Sequence, residues 1–169
     1  ATDGYVNTDI MYERMMKGYA WRNLDNPNIY YDENQRRFPL NLRSSFYRLA
    51  EELVMEQKND KAKEVIHFCL AKLPDNTIPY DYFTPRFVPL LLQIGDEKTA
   101  MDICKVMGER ADQELAYFTV NRKKANNQEI EINLYVLNQI VSSLRQFNKN
   151  EQAKVYEDIF KKYESNYQQ

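Results

Sequence analysis

The sequence predicts an all-α fold of stacked antiparallel helix pairs, an α-α superhelix of about 6-8 helices. Three observations carry that expectation. A short phrase occurs three times, each copy a polar turn that leads into a helix whose apolar face opens on alanine: Gln57-Lys58-Asn59-Asp60-Lys61-Ala62, Gly95-Asp96-Glu97-Lys98-Thr99-Ala100 and Asn148-Lys149-Asn150-Glu151-Gln152-Ala153. Apolar residues recur at helical spacing before and after every copy. Finally, the chain has only 4 Gly and is 28% charged, a composition that favours helices over a turn-rich β-sandwich.

The elements follow in order. Residues 1–40 read as a lead segment. In it Ile10, Met11, Met15 and Met16 mark a short helix that Gly18 stops, since glycine accepts the left-handed conformation after a last turn. Trp21 to Pro27 has turn chemistry, and Tyr30 to Arg37 is expected to be ordered but irregular, its rings lying against the helices because large aromatics are costly to leave in water. Residues 41–169 read as three helix pairs, and 1–169 as one domain.

In the first pair, Leu42, Phe46, Leu49, Ala50, Leu53 and Val54 form one apolar stripe; Ala62, Val65, Ile66, Cys69, Leu70 and Leu73 form the other, and Pro74-Asp75-Asn76 ends it. The second pair is expected to start with Asp81 as N-cap and to bury Phe83, Phe87, Leu90, Leu91 and Ile94, with Pro85 in a first turn and Pro89 bending the helix. Its partner carries Ala100, Ile103, Cys104, Met107, Ala111 and Leu115. After a polar break over Asn121–Gln128, the third pair carries Ile130, Leu134, Leu137, Val141 and Leu144, then Ala153, Tyr156, Ile159, Phe160 and Tyr163, and closes on a polar tail from Glu164 to Gln169.

The phrases lie about 38 and then about 53 residues apart, whereas tetratricopeptide repeats run roughly 34 residues with a fixed Trp-Leu-Gly-Tyr pattern that this chain does not meet. The expected architecture is therefore tetratricopeptide-like, with connections of variable length. An ordinary helical bundle with coincidental turns is the alternative.

Net charge is −2 with both signs interspersed, and no basic stripe points to nucleic acid. No apolar run approaches the roughly 18–20 residues needed to cross a bilayer. No signal peptide is read, and a chain opening at Ala1 without methionine reads as a processed protein or an expressed fragment, the fragment being preferred. Cys69 and Cys104 each sit in a helical apolar stripe and read as buried free thiols.

No reaction centre can be assembled from the sequence. His67 is the single histidine and flanks its helix stripe, and one His with two separated Cys makes no familiar zinc set. Glu51-Glu52 and Asp32-Glu33 are sequence neighbours that do not face one another. The separated glycines build no phosphate loop, and no serine has a histidine nearby in sequence. Neither metal nor cofactor is expected. Two aromatic clusters remain, Tyr80-Asp81-Tyr82-Phe83 between the pairs and Trp21, Tyr30 and Tyr31 with Arg36 and Arg37 in the lead segment. Such rings beside carboxylate or guanidinium either stack on a sugar or partner protein, or pin an irregular segment to the core.

The run Trp21…Asn23…Pro27-Asn28-Ile29-Tyr30…Asp32-Glu33…Leu40-Asn41-Leu42-Arg43…Phe46…Arg48-Leu49-Ala50 resembles the soluble C-terminal part of a family of large, uncharacterised membrane proteins of the Bacteroides group. Leu73-Pro74…Ile78-Pro79-Tyr80-Asp81-Tyr82-Phe83 and the opening Gly4-Tyr5-Val6-Asn7-Thr8 share the likeness, which covers most of residues 4–115. In that family a multi-spanning N-terminal part is similar to protein O-mannosyltransferases. The resemblance implies an excised tail facing the periplasm, with no catalytic residue to carry over.

The expected role is a noncatalytic interaction domain that binds a protein or peptide, or docks on its own upstream membrane domain. Repeat stacks display the first helix of each pair along a groove, which makes Arg43, Tyr47, Glu51 and Arg86 candidate displayed residues. The alternative is an accessory carbohydrate- or acceptor-binding domain using Trp21, Tyr30, Tyr82 and nearby acids, with Tyr80 a further candidate binding residue. Exposure of those rings discriminates the two.

Overall fold

The computed structural model describes residues 6–121 and 127–167, with side chains through Glu164. Among these the protein is all-α: seven α-helices and one 3-10 turn, with no strand. Gly4 and Tyr5, residues 122–126 of the expected polar break and the last two residues of the tail lie outside the described residues. The contacts group into two compact units, Ala1–Phe83 and Thr84–Gln169.

The first unit contains α1 (Thr8–Lys17), α2 (Glu33–Met55) and α3 (Asn59–Lys72). Phe46, Leu49, Ala50 and Leu53 of α2 face Ala62, Val65, Ile66 and Cys69 of α3, all excluded from solvent. Met15 is the one fully buried apolar residue of α1. Gly18 does end α1, but with right-handed backbone (φ −89°, ψ −19°) rather than the left-handed cap expected. Tyr30 to Arg37 is not irregular throughout, because α2 begins at Glu33. Asp32 and Gln35 form a capping box there: the Asp32 carboxylate accepts from the Gln35 N–H at 2.8 Å, and the Gln35 side chain accepts from the Asp32 N–H at 2.9 Å. That cap starts the helix early enough to carry Pro39 within it.

The second unit contains the 3-10 turn Thr84–Arg86, α4 (Phe87–Gln93), α5 (Glu97–Val120), α6 (Asn127–Gln146) and α7 (Asn150–Tyr167). Asp81 is not a helix cap. α4 starts at Phe87, which puts Pro85 in the 3-10 turn and Pro89 third in the helix. A first-turn residue needs no intrahelical partner for its N–H, so Pro89 is accommodated without the mid-helix break expected of it. Ala111, Leu115 and Phe118 of α5, Ile130 and Leu137 of α6 and Tyr163 of α7 form one core, with Leu134, Tyr156, Ile159 and Phe160 packed against it. Gly108 lets α7 approach α5, since a Cβ there would overlap the Tyr156 ring.

The repeated phrase is a repeated turn. Gln57, Gly95 and Asn148, the first residue of each copy, all have positive φ (60°, 79° and 59°). In each, the next N–H reaches back to a leucine carbonyl: Lys58 to Leu53 at 2.8 Å, Asp96 to Leu91 at 2.8 Å and Lys149 to Leu144 at 2.9 Å. The N–H of the positive-φ residue bonds Val54, Leu92 and Arg145 respectively. This is the Schellman pattern, which satisfies the carbonyls left over at a helix end. The residue after the left-handed one then accepts the first bond of the next helix, from Ala62, Ala100 or Ala153. The three leucines and three alanines are all fully buried. The full signature is thus leucine, the left-handed residue four on and alanine five beyond that, closing the α2–α3, α4–α5 and α6–α7 connections.

Candidate functional site

The first unit carries the surface that best fits a binding site, and its foundation is Arg43. This residue lies in the apolar stripe of α2 and is fully buried. Its Nη2 donates to the carbonyls of Leu73 at 3.0 Å and Ile78 at 2.7 Å, and its Nη1 to Pro79 at 3.1 Å. The Asp81 carboxylate is 3.7 Å from Nη1, and the guanidinium lies over the Tyr80 ring at 5.1 Å. A buried cation is costly unless it is paired and hydrogen-bonded; here carbonyls, carboxylate and ring compensate the two terminal nitrogens, while the buried Nε has no hydrogen-bond partner. Asp75 adds a further tie by accepting from the Tyr80 N–H at 2.7 Å. The segment from Leu73 to Asp81 is irregular in sequence and held firmly in space.

That segment lines two surface clefts, the larger with the N-terminal half of α2, the smaller with Arg36 and the lead segment from Pro27 to Tyr31. One, of about 380 Å³, is lined by Arg37, Leu40, Asn41 and Ser44 of α2 with Asp81, Tyr82 and Phe83. The other, of about 270 Å³, includes Ile29, Tyr30, Arg36, Asn76 and Pro79. Neighbouring residues divide between them, Arg36 and Pro79 lining the smaller, Arg37 and Asp81 the larger. Each cleft carries an exposed tyrosine, Tyr30 at 81% and Tyr82 at 57%. The Arg36 guanidinium is 6.0 Å from the Tyr30 ring centroid and its Nε donates to the Tyr31 carbonyl at 2.8 Å, which fixes the head beside the ring.

The residues singled out from sequence fall into three groups. Tyr30 and Tyr82 are exposed on the clefts. Trp21 is not an open platform: its ring packs on Phe46 at 5.7 Å, Phe68 at 5.4 Å and Tyr19 at 6.0 Å, pinning the lead segment to α2 and α3. Arg43 is not displayed, and Tyr80 is half-buried beneath it. Tyr47 is half-buried too, edge-on to Phe83 at 5.2 Å and donating to Glu51 at 2.6 Å, so it buttresses the wall of the larger cleft. Arg86 is exposed and ends the 3-10 turn of the second unit. Arg37, Asn41 and Ser44 were not singled out as a group; their 3–4 residue spacing on α2 is the signal that places them on one face.

Burial pushes the thiols of Cys69 and Cys104 up to about 12, which removes them as nucleophiles at neutral pH. His67 is exposed on α3. Among the described residues no group of three or more His, Cys, Asp or Glu is placed to hold a metal ion, and no helix is long and apolar enough to cross a membrane. Comparison with known proteins found no matching family model, curated protein or solved structure.

Proposed function

We propose that this chain is a noncatalytic, tetratricopeptide-like interaction domain whose first unit takes up a protein segment across the two clefts. The observation that carries the reading is the pairing of an anchored loop with exposed tyrosines: Arg43 ties the segment from Leu73 to Asp81, which lines both clefts, Tyr82 follows that segment in solvent, and Tyr30 stands on the lead segment across the smaller cleft. Tyrosines held by a rigid frame bring large contact area at little entropic cost, the usual make-up of an interface hot spot. Arg36, Arg37, Asn41 and Ser44 supply donors for the carbonyls of an extended ligand. The sequence resemblance adds a context, the periplasmic tail of a glycosyltransferase-like membrane protein, in which the ligand is a partner protein or the upstream membrane portion.

A second reading is favoured by the same two exposed rings, which also suit the apolar face of a sugar. Packing of the Trp21 ring against Phe46 and Phe68 removes one of the three platforms that reading relied on. Peptide and glycan arrays probed with the purified chain separate the two. The expected result is peptide binding that weakens about 30-fold, or ~2 kcal/mol, on Tyr30→Ala or Tyr82→Ala. Glycan binding with the same dependence selects the carbohydrate reading, and binding indifferent to both substitutions removes this face from consideration.

A further inference from the structure

We infer that α1 is an ionic latch, docked on the α2–α3 turn at low ionic strength and released as a unit when salt rises. A ten-residue helix is too short to persist alone in water, and α1 buries only Met15 and Thr8. Met11, Tyr12 and Met16 are only half-buried, and the other fastenings of α1 to the rest of the unit are polar. Thr8 Oγ1 donates to Glu56 at 2.8 Å, and Lys58 holds that same carboxylate at 2.7 Å. Asp9 lies between Lys58 at 3.6 Å and Lys61 at 3.7 Å. Tyr12 donates to Glu64 at 2.6 Å, and Lys61 sits over its ring at 5.2 Å. Two features define the moving part. Gly18, Tyr19 and Ala20 are exposed and form the pivot, and Trp21, wedged against Phe46 and Phe68, is the anchor at which release stops. Release removes the wall that Ile10, Met11 and Met15 give to a groove of about 370 Å³ and uncovers Ser45 and Arg48 of α2.

Exposed ion pairs are screened once the Debye length falls to their own separation, so salt weakens this docking and leaves the packed α2–α3 interface alone. The test is amide hydrogen exchange on the full chain at fixed pH between about 0.01 M and about 1 M NaCl, over which the Debye length drops from roughly 30 to roughly 3 Å. The expected result is exchange of the α1 amides about fivefold to tenfold faster at high salt, with α2 and α3 unchanged. Lys58→Met, which removes the cation shared by Glu56 and Asp9, makes α1 fast at low salt and flattens the response. Met15→Ala speeds α1 at every salt while the response persists. The inference is overturned if α1 exchange in the parent protein ignores salt, if α1 speeds up only together with α2 and α3, or if Lys58→Met keeps the full response.

Discussion

The guanidinium of Arg43 donates to the carbonyl of Ile78 at 2.7 Å, tying the middle of α2 to a loop 35 residues away. Two further carbonyls, of Leu73 and Pro79, depend on the same group. Arg43→Ala leaves all three acceptors and the Asp81 carboxylate without their cation. The expected cost is about 3–5 kcal/mol, because removing one partner of a buried charged cluster strands the others. Urea unfolding measures it. A loss under about 1 kcal/mol means that water enters and replaces the arginine.

The recurrent turn makes a prediction with two signs. At φ near +60° a side chain costs roughly 1 kcal/mol that glycine does not incur. Gln57→Gly and Asn148→Gly are therefore expected to stabilise, with Gln57 gaining more because asparagine tolerates this region better. Gly95→Ala has open space around its Cβ yet φ +79°, so backbone strain alone should cost about 1 kcal/mol. Thermal unfolding of the three variants checks the pattern, and the same sign at all three positions contradicts it.

Those turns also mark what the chain reveals before folding. The stripes Leu42–Val54 and Ala100–Leu115 were legible because helical burial repeats every three or four residues, and Val65, Ile103 and Leu137 are indeed shielded. The start of α2 was missed because its apolar period is clear only from Leu42 on, although Asp32 and Gln35 spell its cap. Arg43 was misread for a different reason. Its partners are backbone carbonyls 30 to 36 residues off, and a carbonyl carries no residue identity that a pattern can show. Tyr30 and Tyr82 were legible as aromatics, but only the folded packing shows that they stand in solvent while the Trp21 ring lies against Phe46 and Phe68.

Gly108 and Tyr156 test how closely α5 and α7 are fitted. Alanine in place of a helical glycine normally gains about 1 kcal/mol. Here the added Cβ meets the Tyr156 ring, so Gly108→Ala is expected to lose about 1–3 kcal/mol from overpacking. Gly108→Ala with Tyr156→Leu should recover part of the loss. Chemical denaturation of the single and double variants gives the coupling, and additive effects contradict the fit.

The two thiols provide a check on both cores. Each is pushed up to about 12, chiefly by burial. Native protein is expected to resist an aromatic disulfide reagent at about pH 8, where an exposed thiol is substantially ionised. Unfolding in urea should release both at once within their own units. Rapid native labelling of either would place an opening at α3 or α5.

Tyr163 joins α7 to α5 by donating to the Asp112 carboxylate at 2.6 Å and to its carbonyl at 3.2 Å. That bond, aided by Lys162 at 3.1 Å, holds the Asp112 carboxyl below its ordinary value. A carboxyl whose folded pKa lies below the unfolded one, about 3.9, contributes stability that is present above the unfolded value and lost as pH falls through the folded one. Tyr163→Phe should cost about 1 kcal/mol near neutral pH, at the low end for a charged acceptor because Asp112 is partly solvated. The gap between parent and variant should then narrow as pH drops below the carboxylate range. On the alkaline side the tyrosine acts in the opposite sense. Burial and Asp112 raise its pKa, so its contribution is complete below about 10 and fades as pH climbs through the folded value. Urea midpoints across pH measure both limbs, and a parent–variant gap constant from acid to alkali would reduce the contact to packing alone.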